Sequence, residues 1–258
     1  MPSDDQERLS YVNYLALSIR NKALIAGLVQ ELDKSISLLR EALAVATGST
    51  LTKRTVLQNL GLFLYDRYNM KESSSDLDES VQICKEEVEA LPANDPMLVV
   101  SLMNLRLRLS RKYFEEKNVE NARDLVIATR RTIEIIPKGD PDYTDLLIEL
   151  GAEVYRLQSL TGQRSDLEEA INALKKAQKS FRLHLLCDLF HKRFLQRAQM
   201  SDILEAIQAG RRSIDNTNKM ILGYPKEFLP WAVYIKTYID GIGTTRTLRP
   251  QYNWLVKL

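Results

Sequence analysis

The stretch Asn59–Pro92, NLGLFLYDRYNMKESSSDLDESVQICKEEVEALP, decides the fold because it holds one complete helical hairpin. Apolar residues at helical spacing predict a first helix around Leu60-Gly61 and a second helix that ends at Pro92. A polar connector joins them. Ser75 is the predicted N-cap of the second helix, since a serine hydroxyl accepts a hydrogen bond from a first-turn backbone N–H.

The pattern of this hairpin recurs before and after it. A leucine anchor in the first helix stands at positions 15, 60, 105 and 150, so each step is 45 residues, and a fifth anchor at 186 follows a step of 36. Each second helix carries a small residue near its start: Ser35, Ser80, Ala122, Ala170 and Ala206. A repeat of 20 to 50 residues is typical of solenoids, in which each hairpin buries its apolar face by stacking on its neighbours. The sequence therefore predicts an all-α solenoid of about five helical hairpins.

Starts of individual helices are also visible. Asp95-Pro96 and Asp140-Pro141 place a capping aspartate before a proline, which is favoured in a first turn. In repeat four, Ser165-Asp166-Leu167-Glu168 reads as a capping box.

The Leu-Gly pair, the small residue of the second helix and the proline after it resemble the tetratricopeptide repeat, whose usual unit is shorter. The excess here lies in the connector, for example Asn69–Ser74. The combination of Leu60-Gly61 with Asp76–Ser80 and Asp95-Pro96 is similar to the extended repeats of fungal proteins that also carry a caspase-like (CHAT) peptidase or a nucleotide-binding domain. The resemblance implies a right-handed α-solenoid. HEAT or armadillo units remain an alternative.

The sequence divides into a repeat array, residues 1–218, and an aromatic-rich segment, residues 219–258. The second segment contains both tryptophans, Trp231 and Trp254. We expect it to form a C-terminal capping helix and tail, because the end of a solenoid needs a cover. The alternative is a tail that folds back into the groove or docks on another chain.

Composition limits the partners and the compartment. With 36 basic and 34 acidic residues the formal net charge is +2, so we expect no nucleic-acid partner. Cys84 and Cys187 are the only cysteines, which is neither a disulfide framework nor a four-ligand zinc set. Together with the absence of a signal-peptide pattern and of a membrane-length apolar run, this predicts a cytoplasmic protein with no membrane partner.

In the tetratricopeptide arrangement the first helices line the concave face. The inward positions, two before the anchor and two, five and six after it, are Asn13, Leu17, Arg20, Asn21, Gln58, Leu62, Tyr65, Asp66, Met103, Leu107, Ser110, Arg111, Ile148, Ala152, Tyr155, Arg156, His184, Asp188, His191 and Lys192. Basic residues and tyrosines recur among them, which suits an acidic or carboxylate-bearing peptide. Solvated side chains without a ligand are the alternative. Asn59 and Asn104, beside the anchors, could bond a ligand backbone or bond within the hairpin.

Repeat five contains both histidines of the chain. His184, Asp188 and His191 share a helical face, and Cys187 lies four residues before His191. Two imidazoles and a carboxylate could serve a metal or a proton transfer. However, imidazoles seven residues apart are separated by about 10 Å along the helix axis, so one ion cannot easily take both. We therefore expect no metal ligand and no catalytic residue, and interpret these side chains as groove-facing.

The sequence thus predicts a non-enzymatic protein-protein interaction module that binds a peptide or helix in its concave groove and needs no cofactor. The alternative is a small-molecule-binding protein or enzyme that uses the groove, closed by the C-terminal tail, as a pocket. A third possibility is self-association through the terminal repeats.

Overall fold

The computed structural model describes residues 4–45, 51–177 and 182–220, without the side chains of 4–6, 182, 184 and 213–220. Within these ranges it is all-α. The helices are α1 Asp4–Ala26, α2 Val29–Val45, α3 Leu51–Lys71, α4 Ser74–Ala90, α5 Met97–Glu116, α6 Val119–Ile135, α7 Tyr143–Thr161, α8 Arg164–Lys176, α9 Arg182–Arg197 and α10 Met200–Met220. Each odd-numbered helix packs on the next one, which confirms the five predicted hairpins. The predicted capping helix and tail lie outside the described residues.

The chain forms two compact units, Met1–Pro137 and Lys138–Leu258. In unit 1, hairpins α1–α2, α3–α4 and α5–α6 stack in chain order, as in an α-solenoid. In unit 2, hairpin α7–α8 packs on α9–α10. The core of each unit is therefore built from contacts within hairpins and between consecutive hairpins.

The glycine of the Leu-Gly anchor permits close approach of the paired helices. A Cβ atom at Gly151 would lie 2.5 Å from Cγ of Leu174 on α8, a residue with no exposed surface. At Gly61 it would lie 3.1 Å from Cγ2 of Ile83 on α4. In repeat three the position is Arg106, a buried residue whose Nε donates to Oγ1 of Thr129, 2.8 Å away. The residue that follows the anchor leucine thus faces the second helix of its own hairpin.

None of the four predicted capping residues stands at the N-cap of its helix. Helix α4 begins at Ser74 with Ser73 at the N-cap, because Glu72 turns the chain with a φ of 54° and starts the helix early. Helix α8 begins at Arg164, so Ser165 is already helical. Asp95 and Asp140 precede the N-cap residues of α5 and α7, Pro96 and Asp142. Their carboxylates still accept hydrogen bonds near the helix starts, from the N–H of Met97 at 2.8 Å and the N–H of Asp142 at 2.9 Å.

Consecutive hairpins are joined by an ionic cluster at fixed repeat positions. Seven residues after its anchor, Arg67 binds both carboxylate oxygens of Asp76 at 2.8 and 2.7 Å and reaches Asp33 of the preceding hairpin at 2.8 Å. In unit 2, Arg193 stands at the same position. It binds Asp202 at 2.7 Å and Glu168 of the preceding hairpin at 2.9 Å.

The same positions are used in the other repeats of unit 1. Lys112 of α5 binds Asp78 of the preceding hairpin at 2.5 Å, and Lys22 of α1 lies 3.6 Å from Glu31. Repeat four, the first of its unit, has Leu157 at this position. The cation seven residues after the anchor is therefore a structural residue of the stack.

Acid should weaken this cluster. Burial raises the pKa of Asp33, but hydrogen bonds from Arg67 and Lys71 outweigh it, so the pKa lies below its ordinary value. A carboxyl whose folded-state pKa is depressed stabilises the fold above its unfolded pKa, about 3.9, and loses that contribution as the pH falls. We expect the free energy of urea unfolding to decrease from pH 5 to 3, and to decrease less in Asp33→Asn. Because this carboxylate is partly exposed, screening limits the difference to at most about 1 kcal/mol. Equal pH slopes for the two proteins would contradict this.

Candidate partner-binding surface

Two polar pairs join the first helices of hairpins one and two. Nδ2 of Asn59 donates to Oδ1 of Asn13 at 2.6 Å, and Arg20 forms an ion pair with Asp66 at 2.6 Å. The guanidinium of Arg20 also lies 5.5 Å from the centre of the Phe63 ring. The pairs are spaced seven residues apart on both helices, so they hold α1 and α3 in one register. Asn59 and Arg20 thus contribute to packing between repeats, and their role toward a ligand stays a prediction.

Tyrosine and arginine side chains form the next contact, between α3 and α5. Tyr65 stacks on Tyr68 with ring centres 5.9 Å apart, and Arg108 and Arg111 lie over these two rings at 5.1 and 5.4 Å. Nε of Arg111 donates to the hydroxyl of Tyr68 at 2.5 Å, and the same hydroxyl hydrogen-bonds to Glu115. Burial and the bond to Glu115 raise the pKa of Tyr68, which keeps it a neutral phenol. We call these five residues the Tyr-Arg cluster.

Members of this cluster differ in exposure. Arg108 is buried, with Nε 2.6 Å from Oγ of Ser80 and Nη1 2.9 Å from the backbone oxygen of Asn104. The Arg111 side chain is 49% exposed. Among the described residues its hydrogen bond and ion pair use Nε, which leaves the two terminal nitrogens for a further acceptor.

Sequence reasoning selected Tyr65 and Arg111 but missed Tyr68, Arg108 and Glu115. A signal for Arg108 was available, since it stands within the apolar stripe of α5. A charged residue at a core position indicates a buried hydrogen-bond partner. Nothing local in the sequence identifies Ser80 as that partner. Asn104, by contrast, has an exposed side chain beside this cluster.

In unit 2 the equivalent positions of α7 and α9 also contact each other. The ammonium of Lys192 lies 4.1 Å from the centre of the Tyr155 ring and donates to Oγ of Ser159 at 3.1 Å. Tyr155 and Lys192 stand five and six residues after their anchors, the same offsets as Arg20 and Asp66 in unit 1. The contact between Lys192 and Tyr155 therefore stands at the same repeat positions as the ion pair of Arg20 with Asp66, but it joins a cation to an aromatic ring.

The remaining predicted residues of unit 2 are Arg156, Asp188, His191 and His184. Arg156, Asp188 and His191 are half-buried. Burial lowers the pKa of His191 despite the opposing effect of Asp188, which favours the neutral imidazole near pH 7. The side chain of His184 lies outside the described part of the chain. The partner-binding role of these four residues stays a prediction.

The two cysteines, Cys84 and Cys187, are buried. Burial raises the pKa of each thiol to about 11, so both are protonated near neutral pH. Within the described residues, no group of three or more histidine, cysteine or acidic side chains is arranged to hold a metal ion. None of the described helices is long and apolar enough to cross a membrane.

Comparisons with known proteins place these observations beside other helical repeats. No protein-family model and no curated protein matches the sequence. Among solved structures, the chain is similar to two forms of a putative kinesin light chain from Podosopora anserina with nearly identical TPR-like repeats. One, a single-substitution form, is 14% identical over 84% of this chain and 100% of that chain, with a TM-score of 0.42. The other is 12% identical over 92% of this chain and 98% of that chain, with a TM-score of 0.44. A de novo designed helical repeat protein matches at 12% identity over both full chains, with a TM-score of 0.28.

Proposed function

We propose that the chain is a protein-interaction module, and that the first-helix face of unit 1 binds an extended acidic peptide of a partner protein. Stacked helical hairpins present long continuous surfaces, which is why such arrays generally serve as protein-interaction scaffolds. The observation that carries the peptide proposal is the half-exposed guanidinium of Arg111, held over the ring and hydroxyl of Tyr68.

The Tyr-Arg cluster orders Arg111 before any ligand arrives. A flexible arginine loses side-chain entropy on binding, so a guanidinium already fixed by a ring and a hydroxyl binds a carboxylate at lower cost. Its terminal nitrogens match the geometry of a carboxylate, which accepts two parallel hydrogen bonds. One turn earlier on α5, Leu107 is 54% exposed and offers an apolar contact beside the charge.

In unit 2 we propose a second contact surface of the same kind on α7 and α9. Lys192, held over Tyr155, supplies the cation there. Arg156, Asp188 and His191 supply further polar contacts. No observation in the described residues favours the alternative of a small-molecule pocket closed by the C-terminal tail.

The experiment is a peptide selection on the whole 258-residue chain. A random decapeptide display library is panned on the intact protein, and the enriched peptides are synthesised for affinity measurement by fluorescence anisotropy. We expect enrichment of Asp, Glu or a free C-terminal carboxylate. Arg111→Gln should weaken the binding of these peptides about 10- to 100-fold, because a hydrogen bond to a charged group contributes about 1.5–3 kcal/mol.

Arg123→Gln is the matched control, since it removes the same charge from an exposed position on α6, in the second-helix layer of unit 1. It should leave affinity unchanged. The proposal is overturned if no peptide is enriched, or if the enriched peptides bind Arg111→Gln as tightly as the intact protein.

A further inference from the structure

The outer face of α1 exposes large apolar side chains. Tyr11 is 71% exposed, Tyr14 68%, Leu15 52% and Ile25 90%. They recur at helical spacing on the side of α1 opposite Ala16, which is fully buried in the core of unit 1. Tyr11, Tyr14 and Leu15 form one apolar patch rather than scattered surface residues, and Ile25 lies about 15 Å further along the same face.

The repeat shows what such a face does elsewhere in the chain. Tyr11, Leu15 and Ser18 stand 45 residues before Val56, Leu60 and Phe63. In α3 these three positions are 0%, 5% and 0% exposed, because they pack against the preceding hairpin. The outer face of α1 thus corresponds to an inter-hairpin interface, and no element of the described chain covers it.

The charges at the two ends of this face favour a second copy of this chain as the partner that covers it. Exposed Glu7 stands near the N-terminal end, and Lys22, 65% exposed, stands near the C-terminal end. Two copies of α1 packed antiparallel about a point between Tyr14 and Leu15 would place each Glu7 opposite the Lys22 of the other copy. The same register would set Tyr11 opposite Ser18. A parallel pair would instead oppose like charges.

We propose that two copies of this chain associate through the outer faces of their α1 helices. The helices run antiparallel across a twofold axis between Tyr14 and Leu15. A twofold interface uses the same patch on both subunits, so the patch must complement itself, and the placement of Glu7 and Lys22 satisfies this requirement. The ion pair of Lys22 with Glu31 of its own chain, at 3.6 Å, leaves the ammonium exposed for the second contact.

The first measurement is the mass of the full chain by analytical ultracentrifugation from about 1 to 300 μM, a range that brackets weak association. We expect the mass to rise from that of a 29.6 kDa monomer toward twice that value. Tyr11→Glu should weaken association at least 10-fold. A monomer at every concentration would overturn the proposal.

Two variants, each with one added cysteine, test the register. Tyr14→Cys places a thiol beside the axis, where the two copies come within reach of a disulfide. Ile25→Cys is at a more exposed position, but it lies about 16 Å further along the helix, so its two copies would be roughly 30 Å apart. Under mild oxidation with copper phenanthroline, Tyr14→Cys should cross-link rapidly and Ile25→Cys should not. The buried native cysteines give the background in the intact protein. Equal cross-linking of both variants would overturn the antiparallel register.

A charge exchange tests the pairing of Glu7 with Lys22. Glu7→Lys alone and Lys22→Glu alone each create two repulsive contacts per dimer, and we expect each to weaken association about 3- to 10-fold. The double variant reverses both charges and should restore most of the affinity. Far-ultraviolet circular dichroism checks that each variant keeps its helices, since Lys22 also contacts Glu31 of its own chain. Additive weakening in a folded double variant would contradict the pairing.

Discussion

Arg67→Met is expected to lower the free energy of unfolding by about 3 to 5 kcal/mol. Methionine has a similar length to arginine but lacks the positive charge, so Asp76 and Asp33 both lose the guanidinium that binds them. The Asp76 side chain is 6% exposed, so its carboxylate would remain buried without this counter-charge. The penalty arises from that orphaned group more than from the loss of attraction. Urea denaturation monitored by far-ultraviolet circular dichroism measures it.

Arg40→Met is the matched control. Arg40 joins the same two hairpins by an ion pair with Glu79, but both side chains are exposed, at 46% and 40%. Exposed pairs contribute about 0 to 1 kcal/mol, so this variant should stay near the intact protein. Adding Asp76→Leu to Arg67→Met should recover most of the loss, because it removes the buried charge. If Arg67→Met were no less stable than Arg40→Met, the cluster would not have the role assigned to it.

Gly151→Ala is expected to destabilise the chain by up to about 2 kcal/mol, because the steric cost of the new methyl group exceeds its benefit to the helix. Alanine improves helix propensity by about 1 kcal/mol. However, the new Cβ would lie 2.5 Å from Cγ of Leu174, which is fully buried and cannot rotate away. Forcing a methyl group into a packed contact costs about 1 to 3 kcal/mol. The midpoint of urea unfolding reports the result.

Gly61→Ala is the same substitution at the equivalent position of repeat two, where the new methyl group has more space. Its Cβ would meet the terminal Cγ2 of Ile83 at 3.1 Å, a contact that a small side-chain shift relieves, so we expect stability unchanged or raised by up to about 1 kcal/mol. Combining Gly151→Ala with Leu174→Ala should cost less than the sum of the two changes, because the smaller residue vacates the space. Additive losses would show that the clash is not the cause.

The sequence was most informative about features repeated along the chain. Leucine anchors and small residues recur because every hairpin must solve the same packing problem, so Leu60-Gly61 and Leu150-Gly151 identified the hairpins before any coordinates. Single capping residues were less reliable, as Ser75 and Ser165 showed, since one residue in the left-handed region can shift a helix start. Among the candidate site residues, the sequence selected Tyr65 and Arg111, which meet in the Tyr-Arg cluster.

By itself, then, the sequence determined the helical hairpins and their order, because these depend on spacing within about 45 residues of chain. Only the tertiary structure decided which polar side chains bond to each other. Arg20 with Asp66, Arg67 with Asp33 and Arg111 with Tyr68 are each joined across two hairpins. A cation on a helix surface has the same local pattern whether it faces water or a neighbouring hairpin's carboxylate. Its role is therefore fixed only when stacking brings the second group within hydrogen-bond distance.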